Sequence, residues 1–596
     1  MTSNTGASVA SSPTAGRGVA YKWIALSNTT IGVLMATINA SILMIALPDI
    51  FRGIKMDPLS PGNTSYFLWI LMGFMLVTSV LVVSLGRVGD MYGRVRMYNL
   101  GFAVFTFFSI LLTITWMTGT AAALWIIIMR IGQGVGGAFL FANSTAILTD
   151  AFPENERGLA MGINGVAAVA GSFLGLVIGG VLAPIEWRLV FLVSVPFGLF
   201  GTVWAYLKLK DNGRRTEARI DWLGNATFAI GLIGVLTGIV YGLQPYGGHT
   251  MGWTKPFVLA CLLGGTAVLA LFVFIELHVD DPMFRLRLFA HRGFSMGSVA
   301  ALLSALARGG LQFMLIIWLQ GIWLPQHGYS FSETPLWAGI YLIPLTIGFL
   351  ISGPLSGKLA DRFGARPFAT LGVLVSAAAY LLFNLLPMNF GYWWFALLLL
   401  LMGTSMGLFF APNTSAVMNS LPADQRGAGA GMLNTFQNSA SVLSMGIFFT
   451  IITLGLAATL PSTLGHGLTA QGVPPTQAHA VASLPPIGLL FAAFLGFNPI
   501  HQLLPSAAAA HVSASHYAFL TGRGFFPSLI AGPFGSGLHA AFAVAAGLCV
   551  LAAVASWLRG SSAATARRRF EHDAEDGLHG VGEVAMQEVG AGAVLD

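Results

Sequence analysis

Apolar residues in this chain come in long unbroken stretches, separated by short polar breaks, with little of the alternation that marks a half-buried strand. The stretch FLWILMGFMLVTSVLVVSL at 67–85 is representative, with Thr78, Ser79 and Ser84 the few polar positions in it. A run of about 20 apolar residues is long enough to cross a hydrocarbon core of about 30 Å as a helix. Strands of a membrane barrel would alternate instead. The pattern predicts spans near 23–47, 66–85, 98–117, 121–146, 159–183, 189–207, 222–242, 256–277, 295–318, 336–356, 368–387, 393–417, 429–456 and 538–558. The expected fold is therefore an all-α integral membrane protein with fourteen transmembrane helices. One segment breaks the pattern: 457–537 reads as a long loop, and PPIGLLFAAFLGF within it is too short to span. An interfacial or re-entrant helix is expected there, or else a helical cap.

Composition agrees with a membrane protein and excludes a soluble multidomain one, because 55% of the 596 residues are hydrophobic and the mean hydropathy is +0.76. The net charge of +6 acquires meaning from its placement. With the N-terminus inside, 22 of the 29 Lys and Arg fall in inner loops and tails. Arg52, Lys55, Arg188, Lys255 and Arg523 fall outside, and Arg130 and Arg308 lie within spans. This bias predicts both termini in the cytoplasm of a multi-pass cell-membrane protein and removes the reason to invoke nucleic acid. The first 22 residues lack an apolar stretch and are expected to be a flexible tail with no cleavable signal peptide. Residues 559–596, basic and then acidic, are expected to be a disordered tail. Cys261 and Cys549 both sit in apolar segments, so neither a disulfide framework nor a metal cluster is expected.

The scarce charges repeat. GRVGDMYGRVR at 86–96 and GKLADRFGAR at 357–366 place Gly86, Asp90 and Gly93 in register with Gly357, Asp361 and Gly364. NSTAILTDAFPENERG at 143–158 is echoed by NTSAVMNSLPADQRG at 413–427. Both pairs fall in inner loops of equivalent helices if two helices are inserted in mid-chain. The predicted organisation is a six-helix bundle over 23–208, a linker with two inserted helices over 209–293, and a second six-helix bundle over 294–558 interrupted by the 457–537 loop. Paired six-helix halves built from repeats are a recurrent transporter plan, with substrate held at their interface near the bilayer midplane.

These loops, with RIGQGVGGA at 130–138, GSFLGLVIGG at 171–180 and WRLVFLVSVPFG at 187–198, resemble the signatures of the major facilitator superfamily. Fourteen spans, with ALPDI closing the first helix, make the chain similar to the branch of fourteen-helix drug:proton antiporters. That resemblance implies a cytoplasmic latch made of Gly86, Asp90, Gly93, Arg94, Arg96, Gly357, Asp361, Arg362, Gly364 and Arg366, with carboxylates meeting guanidinium forks to stabilise the outward-facing state; a bare orientation signal is the plainer alternative. It implies a coupling role for Arg130 with Gln133, and helix-packing roles for Gly171, Gly175, Gly179 and Gly180. A mid-membrane charge costs about 2.5–3.5 kcal/mol on insertion scales; Arg308 is expected to face the central cavity if its helix lines it as the family equivalents do, and for Arg130 and Arg308 alike the alternative is pairing with backbone carbonyls or snorkelling to an interface. Asn39, Asn143, Gln312, Asn413, Asn434 and Gln437 are candidate cavity linings, each with an interhelical hydrogen bond as the alternative.

The departures from that pattern are as informative. The first helix has Asn39 where the family usually carries an aspartate, and no Asp or Glu lies in the middle of a span. Leu176 follows Gly175 where proline is usual, and Met91 replaces a basic residue. These differences weigh against proton antiport, leaving Asp49, Asp150 or the substrate as possible proton carriers. GPLSGKL at 353–359 imitates a phosphate-binding loop but has three residues between its glycines and Leu359 in place of Ser or Thr, so ATP use is not expected. Nor is catalysis, since the spans hold no acid–base cluster.

The expected function is secondary transport by alternating access: multidrug-type export of small amphipathic compounds, neutral or anionic, by a monomer without cofactor or metal. A metabolite or lipid-like facilitator or importer is the alternative, and a non-transporting receptor or scaffold the second.

Overall fold

The structure of the protein, a computed structural model, describes residues 15–560 except 58, 61, 154–155, 212–220, 248, 250, 280–281, 283, 423–424, 497, 499 and 501–513; for 15–20, 157–159, 361, 426–427 and 514 it describes the backbone alone. Both expected tails fall mostly outside these residues. Fourteen helices among them are long and apolar enough to cross a membrane. They are α1 (Tyr21–Gly53), α2 (Asn63–Tyr92), α3 (Arg94–Thr113), α4 (Gly119–Ala151), α5 (Ala160–Leu182), α6 (Leu189–Lys208), α7 (Trp222–Gly242), α8 (Pro256–His278), α9 (Arg292–Gln326), α10 (Thr334–Ala360), α11 (Ala365–Phe383), α12 (Tyr392–Asn419), α13 (Ala428–Thr469) and α14 (Phe525–Leu558).

Helix pairing recurs along the chain. α1 packs on α5 and α6, α2 on α4, and α3 on α4 and α6; likewise α9 packs on α13 and α14, α10 on α12, and α11 on α12 and α14. The inserted helices α7 and α8 pack chiefly on one another, with α7 also touching α2 and α13. The two halves meet where α2 lies along α13 and α5 along α10.

Where helices approach closely, glycine makes room. A Cβ on Gly175 would fall 2.1 Å from Ser41 Oγ and 2.5 Å from Ile38 O, and those on Gly171 and Gly179 would each fall 2.9 Å from a carbonyl of α1. Small residues at every fourth position let the backbones touch, which is how helices associate where lipid removes the hydrophobic driving force. Gly180 faces the other way, its Cβ position 2.6 Å from Pro335 O of α10, so it serves the junction between halves.

The region 457–537 departs from the expected loop. α13 continues to Thr469 through Pro461, and α14 already begins at Phe525. The short apolar segment forms a helix, Pro486–Phe494, after a sharp bend of 87° from Pro475–Ala482. All nine of its residues are buried within the protein, an arrangement that a re-entrant helix or a helical cap allows better than one lying in the lipid interface. Phe491 stacks on Phe67 of α2 at 4.5 Å and on Phe449 of α13 at 5.5 Å, joining the two halves at the end remote from the charged loops. At that far end α9 contains a π-helical segment, Trp318–Trp323, from which Gln320 Nε2 reaches Ile45 O of α1 at 3.4 Å.

Candidate functional site

At the motif end, the first repeated loop forms a compact ion-paired turn. Gly93 has φ 109°, and a Cβ there would fall 2.0 Å from Asp211 Oδ2, so only glycine fits. The turn brings Arg94 to the start of α3, where its Nε donates to Asp90 Oδ1 at 2.7 Å and its Nη1 to Asp150 Oδ1 at 2.6 Å. The turn thus ties α2, α3 and α4 together. Arg96 is exposed and forms no ion pair among the described residues. The second loop differs: Gly364 keeps a positive φ of 88°, but Arg362 lies over Phe363 and Arg366 stacks on Trp557 of α14 at 3.9 Å. The side chain of Asp361 lies outside the described residues. Gly86 and Gly357 occupy matching positions, their Cβ sites 3.6 Å from Ala142 and 3.8 Å from Ala411.

Asn143 and Asn413, expected to line a cavity, are instead buried inside their own halves. Asn143 Nδ2 donates to Phe139 O of its own helix at 2.9 Å, and its Oδ1 presses on Gly89. Asn413 Nδ2 donates to Gly297 O at 3.2 Å, and its Oδ1 accepts from Arg559 Nη2. Arg559, just past α14, is only 7% exposed, and this burial pushes its guanidinium down to about 10, still charged at neutral pH.

In mid-span, the first half holds a closed polar network. Arg130 is fully buried, its Nη1 donating to Asn39 Oδ1 and, at 2.8 Å, to Gln133 Oε1. Gln133 Nε2 donates to Ser109 Oγ at 2.8 Å and Asn39 Nδ2 to Ser194 Oγ at 3.2 Å. The guanidinium carbon sits 4.7 Å from the centre of the Phe74 ring. A buried cation is held here by amides and an aromatic face, with no carboxylate partner among the described residues. The sequence pattern marked Arg130, Gln133 and Asn39; Ser109 and Ser194 carried no signal.

The second half is arranged differently. Arg308 and Gln312 on α9, and Asn434 and Gln437 on α13, are partly buried, and their side chains make no hydrogen bond to another described residue. Arg308 is within electrostatic reach of Tyr380 on α11 and Cys549 on α14. Asp49 and Asp150, the expected alternative proton carriers, are both ion-paired, Asp49 Oδ1 with Arg52 Nη2 at 2.7 Å.

Repeated helix pairings, a doubled charged loop and glycine-lined helix contacts are the frame of a membrane transporter. Residues 29–445 match the model of the Major Facilitator Superfamily, and the chain belongs to that family. Among its relatives are the riboflavin transporter RibZ of Clostridioides difficile, 28% identical over 72% of this chain and 87% of that protein, and the tetracenomycin C resistance and export protein of Streptomyces glaucescens, 25% identical over 84% and 88%. The methyl viologen resistance protein SmvA of Salmonella typhimurium is 28% identical over 77% of this chain and 91% of its own length.

Proposed function

We propose that the protein exports small neutral amphipathic compounds across the cell membrane by alternating access, as a monomer with both termini in the cytoplasm. The observation that carries the reading is the contrast between halves. The first half ties Arg130, Asn39, Gln133, Ser109 and Ser194 into one network, whereas in the second the side chains of Gln312, Asn434 and Gln437, on two helices, make no hydrogen bond to another described residue. Unpaired amides in an apolar bundle favour ligands that offer both hydrogen-bonding groups and apolar surface. Arg130 is engaged by Asn39 and Gln133 and so offers little to an anion, which favours the neutral side of the neutral-or-anionic range expected from the sequence. The export direction draws support from the relative that exports tetracenomycin C; the riboflavin transporter supports the facilitator or importer reading.

The test is counterflow and efflux in proteoliposomes, with neutral, anionic and dicationic probes, with and without an imposed pH gradient. Accumulation of neutral probes with little of methyl viologen is expected. Robust movement of the dication with none of the neutral compounds would overturn the reading, and no transport of any probe would favour a receptor or scaffold. Orientation is checked separately: in a Cys-free background, Ser462→Cys should react with an impermeant reagent added outside, and Thr216→Cys should not.

A further inference from the structure

The inserted hairpin carries a buried acid pair that plays no part in the reading above. Asp221 caps the N-terminus of α7, its Oδ1 accepting from the Gly224 N–H at 2.7 Å. Glu276 lies one turn from the end of α8, its Oε2 accepting from the Phe284 N–H at 2.9 Å. They are 8% and 3% exposed. Their remaining oxygens, Asp221 Oδ2 and Glu276 Oε1, are buried and have no donor among the described residues. A Cβ on Gly224 would lie 2.3 Å from the first and 2.5 Å from the second, so the two oxygens face one another within about 5 Å.

Two ionised carboxylates cannot share such a place without a donor, because each repels the other where little water screens them. One proton turns the repulsion into a charge-assisted O–H···O bond between the two carboxyl groups. Among the described residues, the neighbours of the pair are apolar or positive. Phe284 is enclosed by Phe228 of α7 at 5.4 Å, Phe272 of α8 at 5.6 Å and Phe436 of α13 at 5.7 Å. The charged group facing Glu276 from α2 is Arg87, within electrostatic reach of it. Arg87 belongs to the first repeated loop, and its Nη2 donates to Pro282 O, two residues before Phe284. One short segment therefore joins the acid pair of the insertion to the charged loop of the first half and to α13 of the second.

We propose that Asp221 and Glu276 form a proton-binding site that holds one proton from the motif-side solution between its two carboxyl groups. Its occupancy fixes the Pro282–Phe284 segment and, through Arg87, the loop after α2. Loss of the proton drives the carboxylates apart, and Glu276 loosens its hold on the Phe284 N–H. The insertion thereby reports protonation to both halves, a role for two helices that lie outside the repeated bundles. This site stands whatever compound is transported.

The experiment uses the full-length protein in lipid nanodiscs. Infrared difference spectra recorded over about pH 5–8 should show a protonated carboxyl band that is lost in Glu276→Gln and in Asp221→Asn. Hydrogen exchange of 279–291, corrected for the chemical effect of pH, should speed up by about tenfold on deprotonation of the wild type. In Glu276→Gln, whose amide still accepts from Phe284 and can donate to Asp221, it should be independent of pH. A band that survives in both variants, or exchange in the wild type that ignores pH, would overturn the proposal. Should Asp221→Asn fail to fold, Arg87→Gln gives a second reading. Removal of the cation should move the band's midpoint to higher pH, and an unmoved midpoint would refute the link to the loop.

Discussion

Asn39→Asp tests how the first half tolerates a buried arginine. In the native chain Arg130 is fully buried and bonded to Asn39 Oδ1 and Gln133 Oε1, with the Phe74 ring as further support. Replacing the amide with a carboxylate puts a full negative charge where the guanidinium already donates, without changing side-chain volume. The new group enters a ready ion pair whose second oxygen can accept from Ser194, the present partner of Asn39 Nδ2 at 3.2 Å. Removing one member of such a buried pair typically costs about 3–5 kcal/mol. In a double-mutant cycle with Arg130→Gln, the introduced carboxylate and Arg130 should therefore show a coupling of about 3 kcal/mol. The assay is thermal or denaturant unfolding of all four proteins in the same detergent. Asn39→Asp should be at least as stable as wild type, whereas Asn39→Asp with Arg130→Gln, which strands a lone carboxylate, should be the least stable of the four. The structure thus changes what the sequence suggested: the new acid is neutralised by Arg130, and transport should gain no response to a pH gradient. Additive unfolding energies, or a gain of proton-driven transport in Asn39→Asp, would show that Arg130 is not held as described.

The two repeated asparagines should behave differently. Asn413→Leu leaves the buried Arg559 guanidinium with Ser556 Oγ, at 3.3 Å, as its one remaining acceptor among the described residues, and should cost about 3 kcal/mol in unfolding free energy. Asn143→Leu loses one bond to its own helix and should cost about 1 kcal/mol; equal costs would refute the distinction. Gly175→Ala must push α5 from α1, since its Cβ would meet a backbone carbonyl at 2.5 Å, and should lower stability by about 1–3 kcal/mol; wild-type unfolding would show that this contact yields freely. Asp90→Asn breaks a pair about one-third exposed on the acid side while Arg94 keeps Asp150, so stability should fall by only about 0.5–1 kcal/mol. Distances across the loop ends, measured by electron–electron resonance, should shift in that variant; unchanged distances with unchanged transport would reduce the motif to an orientation signal.

The fourteen spans were legible because lipid imposes a simple rule, that every span must be long, apolar and internally hydrogen-bonded. The same rule explains the misreading of 457–537. Beyond the hydrocarbon level a helix needs no apolar run, and the Pro, Ser, Thr and His of the α13 extension look like loop residues although they continue the helix to Thr469. Conversely, Pro486–Phe494 looks like a surface-seeking segment because composition says that it is apolar, not what covers it; α2, α9, α13 and α14 do so. Polar residues were the harder case. An asparagine in a span is costly wherever it points, so its presence signals a partner without saying whether that partner is a substrate, a neighbouring helix or, for Asn413, an arginine at the end of α14.

The acid pair shows the limit from the other side. Asp221 and Glu276 each read as an ordinary boundary residue, one a helix cap and the other a charge at the end of a span. Nothing local distinguishes them from charges that simply face water. What unites them is the hairpin: α7 and α8 are 21 and 23 residues long, run antiparallel on one another, and so return to the same level where they began. A level comparison of that kind, in which residues are counted outward from the connecting turn, would have paired the two carboxylates from the sequence. It would also have set them beside the first charged loop, since α7 packs on α2. Charges at span ends are therefore better read by helix pair than by helix. The rule that assigns them to topology describes their average, and the exceptions are found where two of one sign are buried together.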